Sequence, residues 1–254
     1  MKIFYVFVVF VYLTVWNSAS STQQRIETDP ELTAGYFEGD IVLNKDRNGI
    51  IKETMHWPNG IVYYNFGDVI DEPHRNHILR GMEMLEQVSC IRFKEADEKQ
   101  SYYINITTEF DGCFATAGWW NRSQSFNLQL YPLDEGCFRL GTILHELLHT
   151  LGFYHQHSTW NRDEYVRIAE ENIQPDALHA FEKYNSDFVD NYNEEYDFDS
   201  ILHYHAYAFS INGEKTIIPL NEKDGANMGQ RETLSQSDIN KLNAMYRCPR
   251  DIKP

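Results

Sequence analysis

Apolar residues recur along this chain with two periods, and the change between them marks out the elements. Ile61 to Phe66 is an apolar and aromatic run that suits a strand, whereas Glu72 to Val88 repeats its apolar positions at helical spacing. Ile91 to Phe93, Tyr102 to Thr107 and Ser125 to Tyr131 read as further short strands. Strands and helices are expected to alternate up to a helix near Thr142 to Leu151, with further helices at Glu164 to Ala180 and Ser235 to Tyr246. Ser235 and Asp238 stand at capping-box spacing, which fixes the start of the last helix. No repeats or low-complexity linkers interrupt the pattern.

The two ends of the first 47 residues differ in kind. Lys2 precedes an apolar run from Ile3 to Trp16, followed by the small residues Ser18, Ala19 and Ser20, the layout of a signal peptide cleaved after Ser20. The run is shorter than the roughly twenty apolar residues of a membrane span, so an uncleaved anchor is the second reading. Ser21 to Lys45 is polar and acidic and is expected to build no core, which marks 21–47 as a removable leader with Arg47 as a processing point. The remaining 48–254 is long enough for one well-buried domain or two lobes.

The chemistry concentrates in one stretch. His145, Glu146, His149, Gly152 and His155 spell HExxHxxGxxH. Histidines four apart share a helix face and can offer two imidazole nitrogens to one tetrahedral ion. Gly152 can end the helix in the left-handed conformation, so that the turned chain brings His155 back as the third ligand. The fourth position is left for water, whose pKa zinc would lower, and Glu146 is placed to take its proton and pass it to a leaving amine. A zinc-dependent peptide hydrolase is the expectation. A core helix with incidental histidines is the alternative, and the full pattern is much rarer by chance than HExxH alone.

Four cysteines, Cys90, Cys113, Cys137 and Cys248, are an even set without CxxC spacing, which reads as two disulfides in an oxidising compartment. Asn105 and Asn121 head glycosylation sequons. The net charge of −16, from 22 basic and 38 acidic residues, argues against nucleic acid and against an anionic membrane surface as partners. The acid-rich stretch Asp187 to Asp199 reads as a solvated face.

The run HELLHTLGFYHQHSTWNRDEYV resembles the extended signature of the astacin metalloproteases, within the wider metzincin group. The resemblance continues in SxxHY at Ser200 to Tyr204, GQR at Gly229 to Arg231, LSQSDINKLNAMY, and the placing of the cysteines. It implies an α+β, two-lobed catalytic domain over 48–254, with a twisted sheet and helices in the upper lobe and a mostly irregular lower lobe ending in a helix. It also implies disulfides Cys90 to Cys248 and Cys113 to Cys137. By the same resemblance His145, His149 and His155 would hold one zinc, Glu146 would be the general base, and Tyr204 would donate to the developing oxyanion. Phe37, Glu38, Gly39 and Asp40 resemble the FxGD motif of latent precursors, which makes Asp40 the inhibitory zinc ligand.

Two positions depart from the family pattern. Leu202 stands where the turn beneath the metal normally carries methionine, a swap of similar volume that should cost under about 1.5 kcal/mol. Gln156 replaces a glutamate that contacts the new amino terminus, and a neutral amide holds an ammonium less strongly, so exact trimming should matter less. His157, His203 and His205 are expected at the surface or behind the ligands rather than on the metal. Arg231 is read either as favouring an acidic substrate side chain just after the scissile bond or as an ordinary surface charge. Only six residues follow Cys248, so substrate choice is expected to rest on the cleft.

The leading expectation is therefore a secreted, extracellular zinc endopeptidase, monomeric, made latent and activated by a protease near Arg47, with proteins or peptides as partners. The competing classes are a catalytically dead relative that binds zinc or peptides, and a disulfide-stapled structural domain.

Overall fold

The computed structural model describes residues 29–43, 55–221 and 223–249. The expected signal peptide, the junction at Arg47 and the start at Asn48 lie outside them.

Six strands form one sheet: β1 (Ile41–Val42), β2 (Ile61–Phe66), β3 (Arg92–Glu95), β4 (Ile104–Thr107), β5 (Cys113–Thr116) and β6 (Gln124–Leu128), in the order β1-β5-β6-β4-β2-β3. All neighbours are parallel except β5 and β6. Helix α1 (Glu72–Val88) matches its expected bounds. Asp71 caps it by accepting from the His74 amide, and Ile78, Met82 and Leu85 turn to the core. Helix α2 (Leu140–Leu151) is buried from Gly141 onward. The strands β3, β4 and β6 sit within a few residues of their expected places. β5 was not expected, and four strands follow one another from β3 to β6 with no helix between them, contrary to the expected alternation. All four residues of β5 are buried, so it lacks the period-2 alternation of a half-exposed strand.

Two apolar clusters correspond to two lobes. The upper one joins the sheet to α1 and α2 through Val62, Leu85, Ile104, Phe126, Ile143 and Leu147. The lower one gathers Val166, Ile173, Phe181, Tyr196, Tyr204 and Ile217. The helix expected over Glu164 to Ala180 does not form. In its place stand the strand β7 (Val166–Ile168), paired with β8 (Ile217–Pro219), and short 3-10 turns ending in Pro175–Phe181. The β-branched pair Val166 and Ile168 suits a ladder, and Gln174, preceding Pro175, is held extended at ψ 129°. The fold is thus α+β, as expected, with an irregular lower lobe followed by α3 (Gln236–Met245), whose Leu242 packs into the upper cluster.

Both implied disulfides are present. Cys90–Cys248 ties the end of α1 to the segment after α3, and Cys113–Cys137 joins β5 to the approach to α2. The described part of the expected leader, residues 29–43, packs on the domain without forming a core of its own. Although polar, it contributes Ile41, fully buried, and pairs β1 with β5 at Ile41↔Ala115.

Candidate metal centre

The site begins with the end of α2. Gly152 takes φ +108°, its amide bonds to His149 O at 2.8 Å, and the Phe153 amide reaches Leu148 O at 3.1 Å, a Schellman-type stop. The reversed chain then places His155 opposite His145 and His149.

The Nε2 atoms of His149 and His155 lie 3.0 and 3.3 Å from that of His145. Asp40 Oδ2 is 3.1 Å from His145 Nε2 and 3.4 Å from His155 Nε2, and its Oδ1 is 3.6 Å from His149 Nε2. All four side chains are buried. Each imidazole is pinned by its other nitrogen: His145 Nδ1 to Ile201 O, His149 Nδ1 to Phe153 O, and His155 Nδ1 to Glu38 Oε2, all at 2.8 Å. Those acceptors fix the proton on Nδ1, so three lone pairs and a carboxylate converge on one point. Such an arrangement repels itself unless a cation sits at its centre. Ligand separations of about 3.3 Å are those of a tetrahedron with zinc–nitrogen bonds near 2.0–2.1 Å. The residues fit one zinc ion, and that ion is the cofactor.

Glu146 is wholly buried beside this cluster, and neither of its carboxylate oxygens has a protein hydrogen-bond partner. Burial first, then the carboxylates of Asp40 and Glu31, raises its pKa well above the ordinary value. The Tyr204 hydroxyl donates to the backbone carbonyl of Glu38, and its ring stacks on His157 at 3.9 Å. His157 bonds to Ala180 O and His203 to Tyr196 and to Tyr204 O; both are buried behind the tyrosine. His205 lies 3.5 Å from Asp29. None of the three joins the cluster, as expected.

The floor of the site is the turn at 200–204. Asp238, in the first turn of α3, accepts from Ser200 Oγ at 2.6 Å, the Ile201 amide at 2.9 Å and the Ser235 amide at 3.0 Å. It thereby closes the capping box and steadies the carbonyl that orients His145. Leu202 is buried in the upper cluster, and its carbonyl accepts from the Gln156 amide. Gln156 Oε1 accepts from the buried Lys241 ammonium at 2.7 Å, a partner the sequence did not suggest.

Arg231 is not a surface charge. Its guanidinium is buried and grips both oxygens of Glu31, at 2.6 to 2.9 Å. Burial opposes ionisation of Glu31, but Arg231 overcomes it and holds the carboxyl well below its ordinary pKa. Glu31, Glu38, Ser158 and Tyr184 were missed in the sequence. Only Glu38, inside FEGD, carried a local signal. Gly39 matters in that motif because a Cβ there would lie 2.7 Å from Glu31 O, at φ +89°.

Residues 49–247 match the family model described as Astacin, a peptidase family. The chain is 46% identical over 234 residues to Seminal metalloprotease 1 of Drosophila melanogaster, covering 87% of this chain and 90% of that one. It is 34% identical over 238 residues to zinc metalloproteinase nas-4 of Caenorhabditis elegans, covering 89% and 73%. Among solved structures it is similar to High choriolytic enzyme 1, a hatching enzyme zinc-protease from Oryzias latipes, with TM-score 0.71 and 30% identity, covering 80% of this chain and all of that one. With its ligand geometry and these relatives together, the chain belongs to the astacin family and is a zinc metalloendopeptidase.

Proposed function

We propose that this chain is the latent precursor of a secreted endopeptidase, in which the leader blocks the cleft and Glu146 is the general base. The observation that carries the reading is the position of Asp40, whose carboxylate completes the three-histidine cluster while Tyr204 is engaged by the neighbouring carbonyl. A leader seated there leaves no room for substrate.

A zinc ion held by His145, His149 and His155 would supply Lewis acidity, lowering the pKa of a water and polarising a carbonyl. Glu146, with both oxygens free of protein partners and its proton affinity raised by burial, takes the proton of the attacking water and returns it to the leaving amine. Tyr204, held by His157 and His203, donates to the oxyanion that develops during attack. Arg231 would favour an acidic side chain after the scissile bond. The grip of Arg231 on Glu31 supports that preference.

Secretion is supported by the signal-like start and by two disulfides. Among the described residues no helix is long and apolar enough to cross a membrane. Asn121 is exposed and open to glycosylation, whereas Asn105 is half-buried in β4.

The test is cleavage of a mixed peptide panel by the processed protein, with a chelator control and a Glu146→Gln variant. Cleavage should vanish with chelator and return with zinc. Glu146→Gln should retain zinc and fold while losing roughly 10²- to 10⁴-fold in turnover. Near-normal turnover in that variant would remove Glu146 from its role; a parent protein that binds zinc yet cuts nothing would favour the catalytically dead alternative.

Asp40→Ala tests latency. Uncut precursor carrying it should show activity above the parent, short of full because Glu31 and Glu38 still hold the leader. Silence equal to the parent's would sink the plug.

A further inference from the structure

Glu38 is a second leader carboxylate with no exposure, and the mechanism does not use it. A buried carboxylate costs several kcal/mol unless donors meet it. Three do: Tyr184 OH at 2.6 Å and Ser158 Oγ at 3.0 Å on Oε1, and His155 Nδ1 at 2.8 Å on Oε2. All three belong to the catalytic domain.

The socket is built without help from the leader. The Tyr184 amide bonds to Ser158 O at 2.8 Å, locking the two hydroxyl-bearing segments together. The Tyr184 ring packs against Tyr154 and Phe188, with centroids 5.2 and 4.8 Å apart. Burial, then the charge of Glu38, raises the Tyr184 pKa well above normal, so the phenol stays a donor. With Nε2 facing the cation, His155 carries its proton on Nδ1 and is a donor too.

The backbone of Glu38 places the socket beside Tyr204. Its carbonyl oxygen accepts from Tyr204, the donor assigned above to the scissile carbonyl. Its φ of +49° is uncommon for a residue with a side chain, and the socket contacts offset that strain.

We propose that Ser158, Tyr184 and His155 Nδ1 form a carboxylate-selective subsite, filled by Glu38 in the precursor and by an acidic substrate side chain before the cut in the processed enzyme. This rests on the protease reading, and it is separate from Arg231, which grips Glu31. A substrate aspartate reaches less far, so glutamate is the better occupant.

Zinc-loaded protein, its leader removed by proteolysis, is titrated with a peptide of residues 29–43 and with its Glu38→Gln counterpart, binding being read by calorimetry. It is then given substrate pairs differing only in Glu or Gln before the cut. The Glu38→Gln peptide should bind about tenfold more weakly, and the Glu substrate should lead by about tenfold in kcat/KM. Tyr184→Phe, which keeps the ring packing, and Ser158→Ala should each shrink both ratios. Equal binding of the two leader peptides, or a Glu preference that is absent or survives both substitutions, overturns the proposal. If the peptides discriminate but nothing is cleaved, the substrate assignment falls, and the socket is an anchor for the leader alone.

Discussion

Leu202 shows how much one departure from a family pattern matters when its side chain only packs. It is buried among the upper-lobe residues, and its functional contact is a backbone carbonyl that accepts from Gln156. Any residue supplies that carbonyl. Leu202→Met should therefore shift stability by less than about 1.5 kcal/mol and leave kcat/KM near the parent value. Thermal unfolding and peptide assays of the processed pair check this, and a large loss in either would give the side chain a role beyond filling space. At this scale the sequence was informative where spacing carried the chemistry. His145, His149 and His155 were legible because helix period and a glycine stop place them. Glu31 was not, because its partner Arg231 stands 200 residues away and nothing local links them.

Among the elements, α1 and α3 were readable from apolar period and caps, which are local forces. The lower lobe was not. Its turns answer to Pro175, to pairing of β7 with a distant β8 and to packing around Tyr204, none of which a helical period can reveal. Helix α3 also does more than close the fold. Asp238 uses one carboxylate to cap that helix and to hold the Ser200 hydroxyl and the Ile201 amide, and Ile201 O orients His145. Asp238→Ala should destabilise the protein by about 2–3 kcal/mol through the unmet buried donors. It should also weaken zinc affinity by about tenfold or more, as loss of an outer support of a ligand does. Thermal unfolding and chelator competition measure the two. Unchanged zinc affinity in a clearly destabilised variant would cut the link between α3 and the metal.

For the whole molecule, the proposed processing would create an amino terminus near Asn48 for which Gln156 is a poor anchor. Its Oε1 already accepts from the Lys241 ammonium, and its Nε2 is a buried donor without a partner, unable to receive another ammonium group. Enzymes beginning at Asn48 and at Arg47 should accordingly differ by no more than about threefold in kcat/KM, well under 1 kcal/mol. A gap of tenfold or more would show that the terminus is anchored after all.

The strand β1 carries a further consequence. Its backbone satisfies the amides of Ala115 and Ala117 through the carbonyls of Asp40 and Val42. In the proposed precursor, departure of the cut segment would leave these two amides, one strand repeat apart, without that partner. Unpaired rungs invite an extended guest. Under the proposed latency, removal of this segment would thus bare a docking rail as well as a reactive centre, and a polypeptide laid along that rail would arrive already stretched.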